Sequence, residues 1–351
     1  MTMHDRGLHD FLQQARTIRA SGSPFVAALL EAGHRQLAAA PQTAALVAEW
    51  PGDRASAALA MRFNGALHAL SRGGRSPELR GLYDHEHQDF DGAIGAILAA
   101  EDDFIAAWMR DPPQTNEVGR AAAIMAALLV ARDAIDASFA MLELGSSAGL
   151  NLNLAHYDYD IGGQAAGVAG SPVMIRPEWT GAAPPEGVVR ISGARGVDLR
   201  PLDMADDAAR ERLMAFAWTD EPARAARLEQ AIGIARTHPP RIDRAAIIDW
   251  LPARLAEPQP EGEWRVIFHS MVLQYLPPAE RDAIAAIIGD AGARADNARP
   301  LAWIGYEWTE CRSEVRLMLT CWPGGTTRHL ATCHPYGAWI HWHGDMGRRD
   351  A

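Results

Sequence analysis

From Gly7 to about Asp136 apolar residues recur at helical spacing, and no convincing strand interrupts them. The alanine-rich stretches Phe25 to Leu37, Ala55 to Leu70 and Ala93 to Met109 predict helices. Breaks fall at Ser21-Gly22-Ser23-Pro24, Trp50-Pro51-Gly52-Asp53, Gly73-Gly74 and Asp111-Pro112-Pro113, where proline removes a donor or glycine loosens the backbone. Roughly five or six helices fit this span, and the uncharged run Ala121 to Ala131 reads as a buried one.

At Phe139 the pattern changes. Phe139 to Leu144 is a compact apolar run ending at Gly145, as a strand buried on both faces would be. Val188 to Val197, Ala245 to Ile248, Trp264 to Phe268 and Leu301 to Gly305 repeat the signal, with helical stretches at Ala223 to Ala235, Leu251 to Leu255 and Ala279 to Ile288 between them. Strand and helix alternate, which predicts a doubly wound α/β sheet. Val315 to Cys321 and Trp339 to Trp342 flank glycine-containing turns and predict an antiparallel ending.

The 351 residues, 48% hydrophobic and 22% charged, suit a globular chain of roughly two domains. All 33 basic residues are arginine, so Schiff-base chemistry, pyridoxal phosphate attachment and the P-loop lysine are excluded. The net charge of -11 argues against a nucleic-acid partner. Met1 to Ala20 holds no apolar core of a secretory signal, and no apolar run reaches the ~18 residues that cross a bilayer, so a cytoplasmic protein away from membranes is expected. Cys311, Cys321 and Cys333 fit neither a disulfide framework nor a zinc site and read as reduced packing residues.

The segment Glu143-Leu144-Gly145-Ser146-Ser147-Ala148-Gly149-Leu150-Asn151-Leu152 sets an acid and small residues between a predicted strand and a predicted helix start. Small side chains let backbone approach a ligand, and amides opening a helix favour negative charge. Read as E-x-G-x-S-x-G, it resembles motif I of class I S-adenosylmethionine-dependent methyltransferases, usually E/D-x-G-x-G-x-G, with Ser147 at the middle glycine. The resemblance implies a Rossmann-like methyltransferase sheet and S-adenosylmethionine as cofactor. Contacts to it would come from Glu143, Gly145, Ser146, Ser147, Gly149 and Asn151, with Glu143 accepting from the methionine amino group. It further implies an acid for the ribose after the second strand, met by Asp198, and polar cover for adenine after the third, met by Asp249 following Ala246-Ile247-Ile248. The fourth strand, Val266-Ile267-Phe268, runs into His269-Ser270 and a helix-like Met271 to Tyr275, where residues face the methyl group.

Two other readings stay open. As G-x-S-x-G the segment resembles the nucleophile elbow of lipases and esterases, with Ser147 as nucleophile, a late histidine such as His334 and an acid such as Asp249. That fold needs several strands before its elbow and an HGGG-type motif, and neither is legible before Phe139. The third reading is a non-catalytic nucleotide-binding or partner-binding protein of the same fold. A G-x-G-x-x-G dinucleotide fingerprint cannot be placed on the segment.

Over nearly its whole length the chain also resembles an uncharacterised bacterial family, domain of unknown function 2332. The matching segments are Ser23-Pro24-Phe25, Thr115 to Arg120, Glu143 to Leu154, Gly196 to Asp203, Phe268-His269-Ser270 with Tyr275-Leu276, and His334-Pro335-Tyr336-Gly337 with Trp342. That resemblance implies a two-part architecture and no particular activity.

Thr115 reads as a helix N-cap with Glu117 and Arg120 on the following helix face. The functional alternative has Asn116, Glu117 or Arg120 reaching the cofactor's amino-acid end or the substrate. Ser270, Glu307 and His334 lie at or beyond strand ends, where an α/β crevice opens, and His269 and Tyr275 are the candidate catalytic pair. Asp84-His85-Glu86-His87 and His341-Trp342-His343 are H-x-H patterns, but their settings do not predict a metal site. The late tryptophans Trp303, Trp308, Trp322, Trp339 and Trp342 read as core, with room for one or two in an apolar pocket wall.

The expectation is an all-α helical cap over 1–136 and a Rossmann-like methyltransferase-type α/β domain over 137–351, with an irregular insertion at 157–185 that has room for a hairpin. The expected chemistry is methyl transfer from S-adenosylmethionine to an oxygen or nitrogen of a small molecule.

Overall fold

The computed structural model describes residues 3–20, 22–51 and 57–344, with side chains from residue 11 onward. Ser21, the turn at Gly52-Asp53 and the first residues of the stretch from Ala55 lie outside the described residues. The chain divides into two compact units, one of residues 1–115 with 206–228, the other of residues 116–205 with 229–351. The first 136 residues are therefore not one body, because 116–136 group with the sheet and a later segment joins the helices.

The helical part begins with α1 (Met3–Ala20), α2 (Pro24–Gln36), α3 (Pro41–Ala48), α4 (Leu59–Arg72), α5 (Pro77–Tyr83), α6 (Phe90–Ala100) and α7 (Asp102–Arg110). Proline opens α2, α3 and α5, where the missing N–H costs nothing. Ser76 and Asp89 accept from Leu79 and Gly92 and cap α5 and α6. The predicted stretch Ala93 to Met109 is two helices, broken at Glu101. Phe11, Leu29, Leu30, Phe63, Leu67 and Ile94 build the core of this unit.

The second unit opens with α8 (Ala121–Ala134), buried at every position from Ala121 to Ala131. The strands follow: β1 (Ser138–Leu144), β2 (Asp158–Ile161), β3 (Gln164–Gly167), β4 (Met174–Ile175), β5 (Glu178–Thr180) and β6 (Ile191–Asp198). After α9 (Asp207–Ala215) and α10 (Pro222–Thr237) come β7 (Ile242–Arg244), α11 (Ile247–Leu255), β8 (Glu263–Ser270) and α12 (Pro278–Gly292). The chain closes with β9 (Leu301–Trp308), β10 (Val315–Trp322), β11 (Thr326–Cys333) and β12 (Trp339–Trp342).

Nine strands form one sheet in the order β5-β12-β11-β10-β9-β8-β1-β6-β7. From β7 through β9 every neighbour is parallel; β9 to β12 is an antiparallel meander. The sheet is thus mostly parallel and mixed at one side. The chain leaves β1 toward β6 and β7, then returns on the other side to β8 and β9, so the winding reverses between β1 and β8. Open α/β sheets present their ligand crevice at the carboxyl ends of the strands flanking such a reversal.

Helices α11 and α12 cover one face, where Trp250, Leu251, Ile284 and Ile288 pack with Leu142, Leu144, Val197 and Ile267. Period-two alternation then turns Phe139, Met141 and Glu143 to the other face. In the region 157–185 β2 and β3 form a hairpin, as the sequence allowed, and β4 joins it as a second, three-stranded sheet.

One expectation fails at the third strand. Ala245 to Ile248 is not a strand, because α11 starts at Ile247 and β7 is the short Ile242–Arg244. Its buried residues Ile247, Trp250 and Leu251 are spaced three and four apart, a helical pattern that a four-residue window conceals. Among the described residues no helix is long and apolar enough to cross a membrane.

Candidate functional site at the carboxyl ends of the parallel strands

β1, β6 and β8 end side by side, with Leu144 opposite Val197 on one flank and His269 on the other. The chain leaves β1 through Gly145 at φ 70°, Ser147 at φ 54° and Gly149 at φ 68°, all in the left-handed region. Asp198, at the end of β6, holds this turn: its Oδ2 accepts from the Ser147 amide at 2.8 Å and its Oδ1 from the Arg200 amide at 2.8 Å. Asn116 Oδ1 accepts from the Leu150 amide at 2.8 Å. The expected helix after the turn is a seven-residue 3-10 segment, Leu150–His156, so no full helix end faces the crevice.

The glycines make room for protein. A Cβ on Gly145 would lie 2.6 Å from Val272 Cγ2, and one on Gly149 would lie 2.7 Å from Pro240. Val272 belongs to the turn after β8, so the turns following the two central strands interlock. The close approach predicted for a ligand at these two positions is taken by side chains.

Beneath the turn Glu143 is 2% exposed, and its Oε2 has no hydrogen-bond partner. Burial, reinforced by the Asp198 carboxylate, pushes its carboxyl well above the usual range, while Ser146, Asn151 and the Arg120 charge oppose the shift. Asn151 is buried too, and its Oδ1 is also without a partner. Ser146 instead donates to the Glu143 carbonyl at 3.1 Å.

Thr115 caps no helix. Glu117 accepts from the Gly119 amide at 2.9 Å, and Arg120 precedes α8 rather than lying on its face. Arg120 Nε donates to the Pro335 carbonyl at 2.9 Å and Nη1 to the Ser270 carbonyl at 3.1 Å, with Ser270 Oγ at 3.5 Å. The segment 116–120 thereby meets the β1 turn, the end of β8 and the loop carrying His334. His334 Nδ1 accepts from the Tyr336 amide at 3.2 Å, and its carbonyl accepts from Tyr306.

His269 is not a free base. The Trp303 indole N–H can only donate, so the 2.9 Å contact makes His269 Nε2 the acceptor and leaves the ring proton on Nδ1, which faces Glu307 Oε1 at 2.7 Å. The same Oε1 accepts from the Val272 and Leu273 amides at 2.8 and 3.2 Å. Both ring nitrogens are committed and the ring is 2% exposed, so histidine and glutamate together hold the turn after β8. Tyr275, at the end of that turn, is 69% exposed.

Asp249 does not join the site, being an exposed residue in the first turn of α11. Leu199, next to Asp198 and 67% exposed, was not anticipated; an apolar residue after a strand-end acid was its only signal in the sequence. Cys311 is exposed in the turn between β9 and β10, where hydrogen bonds to Ser313 and Thr309 bring its thiol down to about 7, so it is no packing residue. Cys333 is buried. Of the two H-x-H patterns, His87 meets the Glu78 carbonyl at 2.8 Å and His343 meets Thr332 at 3.0 Å. Among the described residues no three His, Cys, Asp or Glu side chains are grouped to hold a metal ion.

No curated protein and no solved structure matches the chain. A family match spans residues 8–342, and by it the chain belongs to DUF2332, a family of uncharacterised proteins conserved in bacteria.

Proposed function

We propose that the crevice at the carboxyl ends of β6, β1 and β8 binds S-adenosylmethionine, and that the protein transfers its methyl group to an oxygen or nitrogen of a small molecule. The observation that carries this reading is the convergence of Asp198, Glu143 and the β1 turn where the winding of the sheet reverses. The order β7-β6-β1-β8-β9 with all neighbours parallel supports the reading, since a Rossmann-like sheet would have such a run of parallel strands.

The residues present suit the cofactor in three respects. Glu143 Oε2 and Asn151 Oδ1 are buried acceptors that lack donors, as a site for an ammonium group would be. Asp198 keeps lone pairs on both oxygens for ribose hydroxyls. Leu199 and Tyr275 leave large side chains exposed beside the crevice, where a purine would find apolar cover. The sulfonium supplies an activated methyl group, so the protein's task is alignment and exclusion of water. Because His269 is committed to Trp303 and Glu307, no histidine base is assigned, and Asp249 has no part in the reading.

Calorimetric titration with S-adenosylhomocysteine tests the reading. Saturable binding is expected, weakened about 10-fold or more in Asp198→Ala through the loss of a charged acceptor. At ~100 times the dissociation constant the ligand should add ~2.7 kcal/mol to stability. No binding at millimolar ligand discards the proposal.

Serine hydrolysis is favoured by one observation, the left-handed φ of Ser147, since a strand-to-helix elbow also strains its nucleophile. Against it, β1 is the first strand of the described chain. Covalent labelling of Ser147 by a fluorophosphonate would reverse the preference.

A further inference from the structure

Arg120 is 6% exposed, and no carboxylate among the described residues forms an ion pair with it. Its bonds to the Pro335 and Ser270 carbonyls use Nε and Nη1 and tie two loops together, work that a neutral donor would also do. They leave Nη2 without a protein acceptor and the charge without an ion-pair partner among the described residues. Buried charges are ordinarily paired, because desolvation without a counter-charge costs several kcal/mol. Its field reaches Glu143, Tyr275 and Tyr306, which places the charge amid the candidate site.

We infer that Arg120 is the receptor for a ligand carboxylate and that, with Glu143 and Asn151, it reads an α-amino-acid group. Two buried oxygens without donors, Glu143 once ionised and Asn151, and one buried cation without an ion-pair partner complement an ammonium and a carboxylate on one carbon. The inference rests on the S-adenosylmethionine reading, whose amino-acid end has this chemistry, and makes a 3-10 turn ahead of the first strand the determinant of ligand choice.

The test pairs S-adenosylhomocysteine with its decarboxylated analogue, which keeps the amino group and lacks only the carboxylate. Affinities of both are measured by calorimetry on wild type, Arg120→Ala and Arg120→Lys. Wild type should prefer the carboxylate-bearing ligand by about 10-fold or more, as for a charge-assisted bond. In Arg120→Ala that preference should disappear while the analogue binds as before, and Arg120→Lys should restore part of it. Equal losses for both ligands would mean that Arg120 only ties loops and would overturn the inference. So would a wild type that binds both equally, although the cofactor reading would survive. Failure of wild type to bind either ligand ends both.

Discussion

Glu143 answers two opposed demands. In the folded protein burial and the neighbouring Asp198 raise its carboxyl above the unfolded value of about 4.3, so the folded state holds the proton more tightly. Its contribution to stability is full below pH ~4.3 and is lost as pH rises toward the raised folded value. Glu143→Gln should therefore melt above wild type at pH 7 to 8, lose that advantage near pH 4, and bind S-adenosylhomocysteine more weakly. Equal or lower melting at pH 8 would contradict the account of the buried charge. Glu143 stands out in the sequence because an acid two residues before a glycine-rich turn is a local pattern. His269 was misread because its partners, Trp303 and Glu307, lie on β9, more than thirty residues later, and no local signal records that both ring nitrogens are taken.

The turns after β1 and β8 act as one piece. Gly145 needs φ 70° and has Val272 where a side chain would start, while Glu307 holds Val272 and Leu273 by their amides. Gly145→Ala should cost about 2–4 kcal/mol, from backbone strain and overlap together. Val272→Ala in the same chain should return part of it, because it removes the methyl groups in the way. Denaturant melts of both single variants and the double variant measure the coupling. Strictly additive costs would show that the turns do not interlock. The sequence marks Gly145 as necessary but not what fills the space beside it. β1, β8 and β9 were legible because they are largely buried and read as apolar runs; β7 and α11 were not, since β7 is short and polar and the helical spacing of α11 emerges only over a longer window.

The helical unit depends on a segment far along the chain. Phe216 sits where a side chain on Gly65 would begin, Trp218 enters the helical core, and Asp220 accepts from the Phe25 and Val26 amides at 3.3 Å. A fragment of residues 1–115 should accordingly fail to melt cooperatively, and a peptide of residues 206–228 should restore a transition when added. In the full chain, Phe216→Ala should cost about 3–5 kcal/mol as a buried aromatic truncation. A cooperative, fully helical 1–115 fragment by circular dichroism would remove this dependence.

Composition excluded lysine chemistry, periodicity separated most helices from strands, and one acidic glycine turn marked the strand that became the middle of the parallel part of the sheet. These are local properties, set by side-chain type and spacing within a few turns of chain. What only the tertiary structure decided is which distant groups meet. Arg120 comes to the end of β8 across 150 positions, Asp198 caps the β1 turn, Glu307 engages His269, and the helical core recruits residues 206–228. Such pairings are settled by strand order and by filling space, for which many sequence separations serve equally well, so spacing along the chain carries no record of them.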